Sequence, residues 1–145
     1  MKWLTRERVR MDRVASAWLI KRFIDPDAEF LFATHEEALA RAQREGAIPF
    51  VVPGTELARQ GDHITMDVLI AKHNMTDPAI LKMADILRAA DINTLRGTVA
   101  ESEGVRAVVH GFFLLNVPDG EALALQLPMF DALYRYCQEL VSRQR

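Results

Sequence analysis

The sequence predicts an α+β fold, a mainly helical single domain of five or six helices with a small two- or three-stranded sheet. Three observations predict it. Several stretches place apolar residues at steps of three and four, the spacing of amphipathic helices. Two apolar runs, Glu29-Phe30-Leu31-Phe32-Ala33 and Ile48-Pro49-Phe50-Val51-Val52, are short and bounded by turn residues, as buried strands are. A chain of 145 residues, 50% hydrophobic and 26% charged, suffices for one domain over 1–145 that buries a core without staples.

The first helix is carried by Met11, Val14, Ala15, Trp18, Leu19 and Phe23, which form one stripe, with Asp12, Arg13, Ser16, Lys21 and Arg22 on the other side. Asp25-Pro26 stops it, because the residue before a proline is pushed out of the α region. The polar side reads either as a solvated charged face or as a site: Asp12 and Ser16 share a face at i, i+4, and Arg13 and Arg22 flank Trp18. The strand Glu29–Ala33 follows. Thr34 and Glu37 form a capping box for a helix that ends at Gly46, and Ile48–Val52 is the second strand. The helix between the strands is long enough for them to be parallel.

Pro53 to Gly61 is a loop. Thr65 caps a short third helix with Asp67 in its first turn, where the helix dipole favours a carboxylate. Asp77-Pro78 starts the fourth helix, with Ile80, Met83, Ala84 and Leu87 as its buried stripe. Asp91 continues that stripe, so its carboxylate points coreward at the negative end of the dipole and needs a cation or a dense set of donors. Arg88, one turn back, is the candidate. Asn93 to Glu103 is a polar loop, and Glu103 to Asn116 is a helix burying Val105, Val108, Val109, Phe112 and Phe113. Gly111 within it suggests the close approach of another backbone or a ligand. Asp119–Gln126 and Pro128–Arg143 form a last helical pair, broken or kinked at Pro128.

A net charge of −2 argues against general nucleic-acid binding, although residues 1–22 hold seven basic side chains against two acidic ones. Cys137 is the sole cysteine and sits on the apolar stripe of the last helix, as a buried filler. The start has no hydrophobic signal core and no run suits a bilayer, so a cytoplasmic protein without membrane contact is expected. Phosphate-loop, dinucleotide, serine-hydrolase and zinc-protease motifs are missing. His63, Asp67 and His73 are the one cluster mixing imidazole and carboxylate; their steps of four and six do not share a helical face, so surface histidines compete with a metal site.

Asp12-Arg13-Val14-Ala15, Trp18-Leu19-Ile20, Arg22-Phe23-Ile24-Asp25-Pro26 and Ala28-Glu29-Phe30-Leu31-Phe32 resemble the opening of the C-terminal domain of ChrB-type chromate-resistance proteins. The likeness continues through Gly46-Ala47-Ile48-Pro49-Phe50, Thr65-Met66-Asp67, Asp77-Pro78-Ala79, Ile86-Leu87-Arg88-Ala89-Ala90-Asp91 and Phe130-Asp131-Ala132-Leu133-Tyr134. Longer members of that family are chromate-responsive regulators with an additional N-terminal region, so specific nucleic-acid binding is not expected of this chain alone. The chain departs from the pattern twice. Arg59 and Ile64 stand where a histidine and a cysteine are expected, and Ala89-Ala90 stands where a glycine is expected.

The resemblance implies a chromate-resistance domain concerned with chromate or a related oxyanion. On residue chemistry, Arg13, Arg22 and Arg88 are candidate forks for a tetrahedral anion, Trp18 a wall, and Asp12 and Asp91 the carboxylates that orient the arginines. All six are expected to share one polar pocket. The competing classes are an enzyme and an interaction module. In the first, Asp12, Asp67 and Asp91 with His63 or His73 hold a divalent metal or act as an acid–base pair. In the second, Phe130, Tyr134 and Tyr136 on the last helix supply a homodimer face.

Overall fold

Lys2–Arg6 (β1) forms the middle of a parallel sheet in the computed structural model, which describes residues 1–143. Glu29–Ala33 (β2) pairs along its full length, Lys2 opposite Glu29 and Arg6 opposite Ala33, and Ile48–Pro49 (β3) pairs on the other side. The two strands expected from the sequence are therefore parallel, but they are separated by a third that the sequence reading left out. Trp3, Leu4 and Thr5 are all buried, as befits a central strand covered on both faces. Only two residues of the expected Ile48–Val52 run are strand, because Val51 turns the chain with a left-handed backbone (φ 53°).

Alternation divides the sheet between two cores. Leu4, Leu31 and Ala33 face Ala38 and Ala42 of the helix Ala38–Glu45 (α2), which ends on Gly46 in the left-handed conformation. Thr34 lies a turn earlier than a direct cap, and its hydroxyl accepts the Glu37 N–H at 3.3 Å. Trp3, Phe30, Phe32 and Phe50 face the opposite way, into the larger core built by the remaining helices.

The helix Met11–Leu19 (α1) runs through the middle of that core. Every residue from Val14 to Leu19 is buried, and so are Met11 and Asp12. The expected solvated face does not exist over these turns, because Thr65–Lys72 (α3), Pro78–Asp91 (α4) and later helices pack around α1. From Ile20 to Ile24 the helix widens into a π turn, closed by the Asp25 N–H on the Ile20 carbonyl at 2.7 Å. The widening turns Phe23 outward, where it meets Trp18 and Tyr134 edge-on at 5.5 and 5.4 Å. Asp25 then accepts both the Trp3 indole N–H and the terminal amino group at 2.9 Å, tying the end of this helix to β1.

A 3-10 turn, Asn93–Leu95, leads to Ala100–Leu115 (α5), which starts earlier than predicted. The five apolar residues expected to bury that helix do so only at Val109; Val108 is exposed, and a Cβ built on Gly111 meets nothing within 4 Å. Gly111 is therefore not a point of close approach. Asp119–Arg143 (α6) is one helix that passes through Pro128 without a break, giving six α-helices among the described residues. The architecture is α+β and mainly helical.

Leu4→Ala tests the unpredicted central strand. Leu4 is fully buried, and truncation of such a leucine costs about 2–5 kcal/mol. Urea unfolding should show that loss; a cost below about 1 kcal/mol would mean that β1 is dispensable.

Candidate functional site

Asp12 sits one residue into α1 and is 5% exposed. Its partners belong to α3, whose N-terminal residue Ile64 has no side-chain acceptor. The Thr65 and Met66 N–H groups donate instead to Asp12, at 2.9 Å to Oδ2 and 3.4 Å to Oδ1, and the Ser16 hydroxyl donates to Oδ1 at 3.2 Å. A carboxylate on one helix thus caps another. Asp67 completes the cap by accepting the Ile64 N–H at 3.0 Å. Thr65, expected to be the cap, gives its hydroxyl to the Leu57 carbonyl. Burial raises the Asp12 pKa from its ordinary 3.8 to about 6, against the lowering effect of the Thr65 N–H, and the nearby Asp91 adds to the rise.

Two of the predicted arginines are committed to other carboxylates. Arg88 grips Asp67 with two parallel hydrogen bonds, Nε to Oδ2 at 2.9 Å and Nη2 to Oδ1 at 2.6 Å, and reaches Asp85 with Nη1 at 3.0 Å. It does not serve Asp91. Arg22 makes the same fork on Asp131, at 2.9 Å twice, and Asp131 also accepts the Trp18 indole N–H at 2.8 Å. Trp18 is 1% exposed, so it cannot be the wall of an open pocket. The six residues expected to share one pocket are therefore divided among three places.

Arg13 and Asp91 do lie near one another. Arg13 donates Nη1 to the Glu7 and Arg8 carbonyls at 3.0 and 2.9 Å. Burial lowers its pKa, and Arg6 and Arg10 push the same way. Asp91 is raised by burial and held back by Arg59 and then Arg13. Its direct partner is Arg59, with Nη1 3.5 Å from Oδ2. Arg88, the cation expected for Asp91, is committed to Asp67, and the partner found instead comes from the loop before α3.

Asp91 also lines a cleft of about 430 Å³ between the start of α1, the end of α4 and α5. Arg10, Arg96, Arg106 and His110 line it with Asn93. Arg10 lies over the Phe113 ring at 3.9 Å, where the ring's electron-rich face attracts the guanidinium. Arg106 is paired with Glu103 at 3.3 Å, and among the described residues neither Arg10 nor Arg96 has a carboxylate within ion-pair distance. Arg10 belongs to the basic N-terminal segment noted from the sequence; Arg96 and Arg106 were not expected at a site. Arg106 and His110 do share a face of α5 at i, i+4, which was a signal available to reading; Arg10 and Arg96 lie outside helices and carried no such periodic signal.

His63 Nδ1 is 3.8 Å from Asp67 Oδ2, beside Arg88, whereas His73 lines a separate cavity with Phe23 and Asp77. The proposed metal cluster does not converge, and among the described residues no three His, Cys, Asp or Glu side chains are grouped to hold a metal ion. Cys137 is buried, and burial pushes its thiol up to about 11. Phe130, expected on a homodimer face, is fully buried, and the exposed Tyr136 donates to Glu101 at 2.7 Å. Among the described residues no helix is long and apolar enough to cross a membrane.

Two outcomes follow from the Asp12 cap. Asp12→Ala strands two buried N–H groups and should lower unfolding stability by about 2 kcal/mol or more. Asp12→Asn tests the raised pKa. An acid whose folded pKa is raised binds its proton more tightly when folded, so its contribution to stability falls as pH rises from about 3.8 towards about 6. The wild type should lose stability relative to Asp12→Asn across that window in urea titrations; parallel curves would remove the argument.

The family model described as ChrB, C-terminal domain matches residues 3–137. Protein ChrB of Cupriavidus metallidurans is 33% identical over 138 residues, 93% of this chain. The chain spans 40% of that relative's length. No solved structure matches it.

Proposed function

The chain belongs to the ChrB C-terminal-domain family, and from that premise we propose that it is a cytoplasmic chromate-resistance domain that binds chromate or a related tetrahedral oxyanion. The observation that carries the reading is the cleft in which Arg10, Arg96, Arg106 and His110 converge with few carboxylates to neutralise them. A doubly charged oxyanion needs at least two cations, and guanidinium groups match its oxygens with paired donors. Arg22 and Arg88, first expected to take part, are excluded by their forks on Asp131 and Asp67. The reading thus moves from the polar side of α1 to the cleft at its N-terminal end, and keeps Asp91.

Neither a metal-dependent reaction nor a nucleic-acid interface has a comparable observation in its favour. The metal candidates are dispersed, and the net charge is −2. The test is equilibrium binding of chromate to the purified chain. Arg96→Ala and Arg106→Ala should each weaken binding by about tenfold, the worth of one charge-assisted hydrogen bond. Arg22→Ala should leave it unchanged. Added salt should weaken it, since the cleft is open to solvent. Chromate binding that ignores both cleft substitutions would sink the proposal.

A further inference from the structure

We propose that Asp91 sets the specificity of this cleft, favouring a tetrahedral oxyanion that carries a proton over one that is fully ionised. The inference rests on the anion-binding reading above and adds the class of anion. Asp91 ends α4, and its two oxygens have different surroundings. Oδ2 is buried without a hydrogen bond and faces Arg59. Oδ1 accepts no hydrogen bond among the described residues and is not fully buried; the side chain is 19% exposed and lines the cleft.

A carboxylate amid arginines usually serves to pair with one of them. Asp91 does not pair with Arg10, Arg96 or Arg106; its one ion-pair partner among the described residues, Arg59, lines a different cavity together with Arg6. A carboxylate with spare acceptor capacity thus lines a space whose charged groups are otherwise Arg10, Arg96 and Arg106. A fully ionised sulfate placed there sets acceptor against acceptor and negative charge against negative charge. Hydrogen phosphate instead offers its own O–H to Asp91 Oδ1 while its other oxygens take the arginine donors. A site built around a hydrogen bond discriminates strongly against a ligand that cannot make it. In the complex one proton lies between Asp91 Oδ1 and an oxyanion oxygen, and chromate enters by the same rule as hydrogen chromate.

The charged groups around Asp91 come from every element packed there. Asp12 and Arg13 approach from α1, Arg59 from the loop before α3, and Arg10, Arg96, Arg106 and His110 from across the cleft. Because Asp12 is also raised towards neutral pH, the decisive comparison holds pH constant and changes the anion. Inorganic phosphate and sulfate are to be titrated calorimetrically into the whole chain at one neutral pH and one ionic strength. Phosphate should bind the wild type at least about tenfold more tightly than sulfate. Asp91→Asn, an isosteric change that supplies a donor, should gain sulfate and lose phosphate until the two differ by about threefold or less. Equal affinities in the wild type overturn the inference without any variant, and so does an unchanged ratio in Asp91→Asn. If chromate, phosphate and sulfate all fail to bind, the anion site itself is overturned; binding without discrimination overturns only the role of Asp91.

Discussion

The buried carboxylate of Asp12 is the constraint on which the placement of the helices depends. Helix α3 begins at a residue that cannot cap it, inside a core where water cannot substitute. The first helical N–H groups must find an acceptor, and among the described residues it comes from α1, fifty-three residues earlier in the chain. Those bonds tie the start of α3 to α1, and the packing of buried α3 residues against α1 does the rest. The start of α3 also carries Asp67, whose one oxygen caps Ile64 while both hold Arg88 of α4. A chain of charge-assisted bonds therefore runs from α1 through the start of α3 to α4, and each member satisfies a group that burial would otherwise leave unpaired.

The same logic separates the arginines that build the fold from those left over for chemistry. Arg88 and Arg22 each make a two-pronged bond to a carboxylate on another helix, and Arg41 reaches from α2 to the Phe32 carbonyl of β2. Arg13 folds back on the loop that precedes its own helix. These side chains have their donors occupied. Arg10 and Arg96 contribute to the surface of one cleft without such ties, and their charge is not cancelled locally. An uncompensated pair of cations beside a third is a cost in self-repulsion, lowered when an anion enters.

What could be read from the sequence followed from periodicity. The stripe of α4, the Asp77-Pro78 start and the Gly46 stop all rest on local rules, and each lies where the rules put it; the α1 stripe does so only as far as Leu19. β1 escaped because Trp3-Leu4-Thr5 is a three-residue buried run between charged ends, too short for alternation to declare itself. The buried state of Asp12 and Ser16 escaped for a different reason. Polar residues on one side of a helix are normally solvated, and only the helix packed against them supplies the partner that permits burial. Asp91 was legible as a carboxylate in need of a cation, but its partner Arg59 lies in a loop with no period to place it. A helical wheel shows which side chains need partners; it does not show which partners arrive from elsewhere.

The cleft gathers its cations from segments of unequal anchorage, and that bears on what a bound anion does. Arg10 precedes a helix that is buried all round, and Asp119 secures the approach to it by accepting the Arg8 and Val9 N–H groups at 3.0 and 2.9 Å. Arg106 and His110 sit on α5, which fully buries only Ser102 and Val109 and is otherwise held by half-buried Val105, the Ser102 hydroxyl on the Ile86 carbonyl at 2.6 Å, Tyr136 on Glu101 and the Arg8 and Arg10 guanidiniums over Phe113. An oxyanion accepting from Arg10 and Arg106 adds a further bridge between the start of α1 and α5, so part of its binding energy goes into seating α5. Asp91 stands at the end of α4, with Oδ2 buried beside Arg59 and its partly exposed side chain at the cleft wall. The residue whose burial was the least favourable in the sequence is therefore the one placed to sense both the core behind it and the ligand in front.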